Sequence, residues 1–223
     1  GEGIPNWACD CEFNIIDICG VCGGDGSTCI PTVEHFTQNG LEDNFEEFNL
    51  NSHIYDPNDE VLNCFIETQA SFGSVSLDGT VVTYIPDQDF NGQDSFSYYC
   101  ENSLTQSLSA VVTLSVSPVN DAPQFSSNLT YTMEEGGTVD FSLGVIDIDN
   151  ADEDLTIIPP EDVSGTLEPC SRGSIIDCWT YDPGAIFSSV NGNMTFDFQA
   201  SDGDATTNAT VELNIIGVND LPS

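Results

Sequence analysis

The sequence predicts an all-β protein in which two β-sandwiches follow one another after a short cysteine-rich segment. The tripeptide Val-Asn-Asp occurs at 119–121 and again at 218–220, a separation of about 100 residues, which is the length of one sandwich domain. Before each copy, at 110–116 and 209–215, apolar and polar residues alternate as they do in half-buried strands. No segment has a convincing helical period, and 223 residues suffice for two domains that each bury a core.

The cysteine-rich segment comprises residues 1–30 and is too short to bury a core, so cross-links must hold it. Nine cysteines in a small acidic chain indicate an oxidising compartment in which disulfides persist. Zinc ligation by Cys-x-Cys and Cys-x-x-Cys is the alternative. The segment holds an odd number of cysteines, so we expect one of them to pair with a neighbouring subunit or repeat. These cysteines are Cys9, Cys11, Cys19, Cys22 and Cys29.

The run Cys-Gly-Val-Cys-Gly-Gly-Asp at 19–25 resembles a motif in the cysteine-rich regions of secreted metalloproteases with thrombospondin repeats. It also resembles repetitive extracellular proteins of aquatic microbes. The resemblance implies a disulfide loop. It implies no protease activity, because the chain contains no His-Glu-x-x-His sequence.

Residues 31–122 are predicted to form the first sandwich and residues 123–223 the second. Short runs rich in β-branched and aromatic residues are separated by Gly, Pro, Asn and Asp, as in strands joined by turns. In the first sandwich these runs are 45–50, 61–66, 73–77, 81–85, 94–99 and 110–116. In the second they are 138–143, 155–158, 175–181, 194–198 and 209–215.

The charge of the chain excludes two classes of partner. Asp and Glu number 38 against a single Arg172 and no lysine, so the formal net charge is −37. Such a field repels nucleic acids and anionic membrane surfaces, and no apolar run is long enough to insert into a membrane. The carboxylates must be solvated, screened by salt or neutralised by cations. A salt-adapted surface and bound calcium are the two explanations.

The stretch 82–98, continued by 119–123, resembles the cadherin-like tandem repeats of large microbial surface proteins. The second repeat matches at 133–135, 147–149, 200–203 and 218–220. The resemblance implies seven-stranded Greek-key sandwiches of immunoglobulin-like type, arranged end to end, with Ca²⁺ at the junctions.

The resemblance also implies which residues hold calcium at the first junction. Calcium takes six to eight oxygen ligands, and the loops of a sandwich cluster at its two poles. The implied ligands are Glu42, Asp87, Asp89, Asn120, Asp121, Asp147, Asp149 and Asp202. For each of them, a solvated loop carboxylate or amide is the alternative.

Two further poles are expected. The far pole of the second repeat offers Glu134 or Glu135, Asp182 and Asp220, and we expect its partner in a continuation of the chain or in a neighbouring subunit. At the first pole of the first repeat, the residues Asp56, Asn58 and Asp59 can serve as the acidic motif. However, Glu101-Asn102 stands where Asp-Gly is usual. The cysteine-rich segment is therefore the alternative cap of that pole.

The sandwiches themselves carry two expected disulfides and three glycosylation sequons. Cys64 lies near the centre of one predicted strand and Cys100 at the end of another, and Cys170 and Cys178 flank a short loop. Each pair is therefore expected to cross-link, with free thiols as the alternative. The sequons at Asn128, Asn193 and Asn208 are compatible with glycosylation outside the cell.

The residues do not form a catalytic constellation. His35 and His53 are isolated, and neither a nucleophile elbow nor a phosphate-binding glycine loop occurs, so we expect no enzyme. The leading hypothesis is a calcium-rigidified extracellular or cell-surface module of a fibre, filament or adhesin stalk. Such a module would stack head to tail with copies of itself or with adjacent repeats. The alternative is a recognition module that binds glycans or a protein partner through exposed aromatic residues such as Trp7, Tyr131 or Trp179.

Overall fold

A computed structural model describes residues 8–10, 13–170, 177–184 and 192–217. The chain divides into two compact units, Gly1–Val119 and Asn120–Ser223. The cysteine-rich segment belongs to the first unit, and the division falls three residues before the predicted boundary at 122. Among the helices of the described ranges, none combines the length and apolarity that crossing a bilayer requires.

The first unit is a sandwich of a four-stranded and a three-stranded sheet. The four-stranded sheet has the order β2-β9-β8-β5, with β2 and β9 parallel, and the three-stranded sheet has the order β3-β7-β6. A short ladder joins β1 to β4. The strands are β1 (Thr32–Val33), β2 (Phe36–Leu41), β3 (Glu46–Asn49), β4 (Ile54–Tyr55), β5 (Asn63–Thr68), β6 (Gly73–Asp78), β7 (Val81–Pro86), β8 (Gly92–Glu101) and β9 (Ala110–Ser117).

The core of the first unit lies between these two sheets. Alternate residues of β8 and β9 point inward, because successive side chains of a strand face opposite sides of the sheet. The buried residues of β8 and β9 include Phe96, Tyr98, Val112 and Leu114, and they pack with Val82 and Tyr84 of β7.

The carboxylate of Asp94 ties a loop to this core. It accepts hydrogen bonds from the backbone N–H of Ser71 (2.9 Å) and Phe72 (2.8 Å) and from the hydroxyl of Tyr84 (3.2 Å). Burial alone would raise the pKa of Asp94, but these bonds and one from the N–H of Ser95 outweigh burial and lower it. Burial and the charge of Asp94 raise the pKa of Tyr84.

The second unit repeats the same architecture. Its sheets have the orders β10-β16-β15-β12 and β11-β14-β13, with β10 and β16 parallel, and a bridge between Gln124 and Ile146 replaces the short ladder. The strands are β10 (Thr130–Glu134), β11 (Val139–Ser142), β12 (Thr156–Ile158), β13 (Thr166–Pro169), β14 (Cys178–Asp182), β15 (Gly192–Ser201) and β16 (Thr206–Ile216). Its core includes Phe141, Trp179, Tyr181, Phe196, Phe198 and Leu213.

The predicted all-β fold with two tandem sandwiches is confirmed. The helical elements of the described ranges are short 3-10 turns, three of which lie wholly within those ranges. The sequence pattern missed five strands, the two-residue β1 and β4 and the longer β2, β10 and β13. Both β2 and β10 pair in parallel only with the last strand of their sheet, and β2 reads Phe-Thr-Gln-Asn-Gly-Leu, which lacks a clean alternation. Such edge strands are specified by their partner more than by their own residues.

Four disulfides cross-link the described residues. The two pairs expected in the sandwiches are the pairs that form: Cys64 with Cys100, directly opposite in β5 and β8, and Cys170 with Cys178. In the cysteine-rich segment, Cys9 bonds to Cys22 and Cys19 to Cys29, so these four thiols are not free to bind zinc. Cys11 lies outside the described residues, as do Trp7, Arg172 and Asp220.

Candidate metal centre

Two tight turns form one pole of the second unit. Asp147 Oδ1 accepts hydrogen bonds from the N–H of Asp149 and of Asn150, both at 2.9 Å. Asp202 Oδ1 likewise accepts from the N–H of Asp204 (2.7 Å) and Ala205 (2.6 Å) in the turn between β15 and β16. Asp side chains commonly hold turns in this way. Each carboxylate therefore has one oxygen committed to its own turn.

The first residues of the second unit bind to these turns. The N–H of Asp121 donates to Asp149 Oδ2 (2.8 Å), and Asn120 Nδ2 donates to Asp202 Oδ2 (2.9 Å). Asn120, Asp121, Asp147, Asp149 and Asp202 thus come together, and we call them the Asp147 cluster. The hydrogen bonds from the N–H of Ala205 and from Asn120 lower the pKa of Asp202.

The Asp147 cluster fits a hard cation. It offers carboxylate, amide and backbone carbonyl oxygens from three separate stretches of chain, which is the ligand type that calcium prefers. Asp147 Oδ2 is buried and has no hydrogen-bond partner among the described residues. A buried carboxylate oxygen without a partner is costly unless a donor or cation satisfies it. The chain has no lysine, so a bound cation is the simplest source of that charge.

The second group of predicted ligands lies at one end of the first unit. Glu42 is almost completely buried, with 1% of its surface exposed. Its Oε1 accepts a hydrogen bond from the N–H of Val119 (2.6 Å), and its Oε2 accepts one from Asn91 Nδ2 (3.1 Å). Since a carboxylate oxygen has two lone pairs, both oxygens can also contact a cation.

Asp43 directly follows Glu42 in the chain, and Asp89 lies two residues before Asn91. We call these four residues the Glu42 end. The N–H of Asp89 donates to Asp43 Oδ1 (3.3 Å), and carboxylate oxygens of the two residues lie within 4.8 Å of each other. Asp87 is exposed, and its backbone carbonyl accepts from the N–H of Phe90 in the same turn. Sequence reasoning missed Asp43, although its place directly after Glu42 was a usable signal.

At the other end of the second unit, Glu135 occupies the position of Glu42. The N–H of Glu135 donates to the carbonyl of Ile216 (3.0 Å), and Glu135 Oε2 is buried without a partner among the described residues. Glu134 is exposed. Asp182 ends β14, where its Oδ1 accepts from the N–H of Gly184 (2.8 Å) and so shapes a turn. The structure does not bring Asp182 together with Glu135 through any described contact.

The remaining pole of the first unit is held by the side chain of Asn102. Asn102 Nδ2 donates to Asp56 Oδ2 (2.8 Å) and to the carbonyl of Cys29 (2.7 Å), and we call these three residues the Cys29 pole. Burial would raise the pKa of Asp56, but hydrogen bonds from Asn102 and from two backbone N–H groups lower it. The cysteine-rich segment therefore contacts this pole directly.

Of the aromatic residues considered for recognition, the two that the structure describes, Tyr131 and Trp179, do not form an exposed patch. Trp179 is buried in the core against Phe198, with ring centroids 5.4 Å apart. Tyr131 packs against Phe141, and their ring centroids are also 5.4 Å apart. The histidines have structural contacts: His35 Nδ1 accepts from the N–H of Val111, and His53 stacks on Phe36.

The sequon residues Asn128, Asn193 and Asn208 are exposed on the second unit. Glycosylation there remains a prediction.

Comparison with known proteins identifies one matching family and several similar solved structures. The family model described as "Bacterial Ig domain" matches residues 30–115 and 120–214. Drosophila N-cadherin EC1-4 is similar in structure, with a TM-score of 0.50 and 13% identity over 85% of this chain and 50% of that one. The extracellular cadherin domains 1-5 of protocadherin gamma B2 give a TM-score of 0.51 and 13% identity over 85% of this chain and 40% of that one.

An endo-fucoidan hydrolase, MfFcnA4, is also similar, with 17% identity and a TM-score of 0.36 over 88% of this chain and 30% of that one. At that score the similarity carries no argument about function. The chain spans between 30% and 50% of the length of these solved structures. No curated protein matches it. The two matched ranges together cover most of the sequence, and each coincides with one of the two sandwiches. The chain therefore belongs to the bacterial Ig domain family and carries two copies of the domain.

Proposed function

We propose that the chain is a structural extracellular module whose tandem repeats are stiffened by calcium, as part of a surface fibre, filament or adhesin stalk. The observation that carries this proposal is the Asp147 cluster, in which the first residues of the second unit meet the turns of that unit around the unpartnered Asp147 Oδ2. The disulfides and the family are typical of extracellular or surface proteins.

Calcium would be held by Asp147, Asp149 and Asp202, with Asn120 and Asp121 from the linker. It would supply positive charge that the protein lacks, because 38 acidic residues face one arginine. The N–H of Val119 is bonded to Glu42 within the first unit, and the next residue, Asn120, is bonded to Asp202 within the second. Binding at the Asp147 cluster would therefore restrict the hinge between consecutive repeats.

Head-to-tail association is the second part of the proposal. Glu135 has the same place in the second unit that Glu42 has in the first. The far end of the second unit therefore carries the residue that corresponds to the central residue of the Glu42 end. We propose that it takes an adjacent repeat or another copy of the chain. Head-to-tail contacts whose rotation does not close into a ring build linear arrays.

Calcium binding is tested by thermal unfolding of the whole chain with calcium or with chelator at constant ionic strength. A hundredfold excess over Kd stabilises a binding unit by about 2.7 kcal/mol, which raises Tm by roughly 10 °C for a domain of this size. Asp147→Asn should abolish that increase while leaving Tm in chelator unchanged or higher, since it removes an unpartnered charge. The matched control is Asp197→Asn, an exposed carboxylate of β15 that accepts from Thr210.

The calcium proposal is wrong if the wild-type Tm is the same in calcium and chelator, or if the two variants respond alike. X-ray scattering in the two conditions tests the stiffening: the distribution of particle dimensions should narrow in calcium. Analytical ultracentrifugation over a concentration series tests association, and a chain that stays monomeric at all concentrations would overturn the head-to-tail part alone.

A further inference from the structure

The Cys29 pole of the first unit and the Asp147 cluster of the second occupy corresponding places in the two sandwiches. Tyr55 pairs with Thr32 in the first unit as Ile146 pairs with Gln124 in the second. The residue after Tyr55 is Asp56, and the residue after Ile146 is Asp147. Counting back three residues from Thr32 and from Gln124 makes Cys29 the counterpart of Asp121. Buried prolines at 31 and 123 lie between and support this alignment.

The long hairpins align the third member of each pole. Gly92 of β8 pairs with Val116, and Gly192 of β15 pairs with Ile215, which is the residue before the last position of its strand, as Val116 is in β9. Ten residues after these glycines stand Asn102 and Asp202. Asn102 is therefore the counterpart of Asp202. The resemblance to cadherin-like repeats instead aligns Glu101-Asn102 with Asp202-Gly203, which is a shift of one residue.

The turns at the two poles are held in the same way. Asp56 Oδ1 accepts from the N–H of Asn58 (2.8 Å), as Asp147 Oδ1 accepts from that of Asp149. Asn102 Oδ1 accepts from the N–H of Leu104 (2.9 Å) and Thr105 (2.7 Å), as Asp202 Oδ1 accepts from those of the second and third residues after it. The two poles differ at three of the aligned positions, where Cys29, Asn58 and Asn102 stand in place of Asp121, Asp149 and Asp202. The difference that decides which group can donate to Asp56 Oδ2 or to Asp147 Oδ2 lies at the second side-chain atom of residues 102 and 202.

That difference is a donor in the first unit and an acceptor in the second. Asn102 Nδ2 uses both of its protons, one to Asp56 Oδ2 and one to the carbonyl of Cys29. Asp202 has an oxygen in this place and cannot donate, and Asp147 Oδ2, the counterpart of Asp56 Oδ2, has no partner among the described residues. Solvent does not substitute at the first pole, because Asn102 is 9% exposed, Asp56 6% and Cys29 0%.

We propose that residues 19–29, closed by the Cys19–Cys29 disulfide, act as a cation-independent cap of the first unit. The Asn102 amide does there what a bound cation does at the Asp147 cluster. Thr105 Oγ1 adds a second hydrogen bond to the Cys29 carbonyl (3.0 Å), and Asp17 Oδ2 accepts from the N–H of Gly26 (2.9 Å) inside the segment. The comparison with a cation rests on the proposed function, whereas the cap rests only on the contacts of Cys29, Asp56 and Asn102.

In this proposal the hydrogen bonds of the Cys29 pole depend on the Cys19–Cys29 disulfide and not on calcium. Hydrogen-exchange mass spectrometry of the whole chain tests this, because the N–H groups of Leu104 and Thr105 report on the Cys29 pole. Those of Asp204 and Ala205 report on the Asp147 cluster. In the wild type, exchange at 104–105 should be the same in calcium and in chelator, while exchange at 204–205 should slow in calcium by tenfold or more.

Two reciprocal variants exchange the chemistry of the poles. Asn102→Asp is isosteric and sets one carboxylate against another, so exchange at 104–105 should accelerate at least tenfold in chelator and slow again in calcium. Asp202→Asn supplies the missing donor to Asp147, so exchange at 204–205 should slow in chelator and lose its calcium response. An N102D protein that exchanges like the wild type, or a calcium response at 104–105 in the wild type, overturns the proposal.

The disulfide is tested by the double variant C19S/C29S, which keeps the backbone carbonyl of residue 29. Its matched control is C170S/C178S, which removes a bridge from the second unit. Only the first should accelerate exchange at 104–105. If N102D does not fold, Thr105→Val removes a single bond to Cys29 and should give a smaller acceleration at the same amides.

The outcomes separate the cap from the proposed function. If exchange at 204–205 ignores calcium but C19S/C29S accelerates exchange at 104–105, the calcium proposal fails and the cap stands. If C19S/C29S leaves exchange at 104–105 unchanged, the cap is wrong whatever the response to calcium.

Discussion

The backbone N–H of Glu135 bonds to the final strand of the second unit as that of Glu42 bonds to the final strand of the first. The N–H of Glu42 donates to the carbonyl of Ser117 (3.1 Å), and the N–H of Glu135 donates to that of Ile216 (3.0 Å), each at the last position of the final strand. In the first unit the side chain then reaches forward to the N–H of Val119, two residues beyond that strand. In the first unit, the buried Glu42 therefore orients the chain just after its final strand.

Replacing Glu42 with glutamine should destabilise the first unit. Both carboxylate oxygens accept from N–H donors, whereas a glutamine amide can accept on one side only and turns its NH₂ toward a donor. A lost buried hydrogen bond of this kind costs about 1–3 kcal/mol. Urea unfolding of the first unit measures the change. The exposed Glu47→Gln, a neighbour on β3, is the control, and equal stability of the two variants would contradict the role given to Glu42.

Asp94 should make the first unit sensitive to acid. Its pKa is lowered in the folded state, so its contribution to stability is present above the ordinary Asp value of 3.8 and is lost as pH falls through the folded pKa. Asp94→Asn should flatten the fall in free energy of unfolding below pH 3.8. The second unit has Met194 at the corresponding position of β15, so its own acid response should not change in this variant.

Gly73 should not tolerate a side chain. A Cβ there would lie 2.5 Å from the carbonyl of Ile85 and 2.9 Å from the Cα of Pro86, both backbone atoms of the paired strand. Gly73→Ala should therefore force β6 and β7 apart and cost about 2–4 kcal/mol. Gly79→Ala is the control, because the φ of +61° at Gly79 disfavours alanine but the surroundings are open, so this substitution should cost only about 1 kcal/mol. Equal losses of Tm in the two variants would show that the contact between a Cβ at residue 73 and the backbone of β7 does not destabilise the fold.

The two sandwich disulfides should differ in their contribution to stability. Cys64 and Cys100 are 36 residues apart and Cys170 and Cys178 only 8 apart, and a longer closed loop restricts the unfolded chain more. Replacing the first pair with alanine should cost its unit about 3–4 kcal/mol, and replacing the second pair should cost its unit less. Denaturant unfolding with probes in each unit gives both values. A larger loss from C170A/C178A would refute this ordering.

The sequence determined the two-sandwich fold, because alternation along single strands and turn residues between them are local features. It also identified five of the candidate calcium ligands, because they lie in loops next to recognisable strands. The structure gathers these five residues at one pole: Asn120, Asp121, Asp147, Asp149 and Asp202.

Only the tertiary structure decided which of two neighbouring residues, Glu134 or Glu135 and Glu101 or Asn102, occupies a functional position at the end of its sandwich. Strand register is set by partners far away in the chain, and a slip of one residue exchanges the two faces of a strand. The pairing of β10 with β16 therefore decides that Glu135, and not Glu134, is the counterpart of Glu42. The pairing of β8 with β9 likewise places Asn102, and not Glu101, opposite Asp56 and Cys29, where one amide in place of a carboxylate changes what that pole can bind.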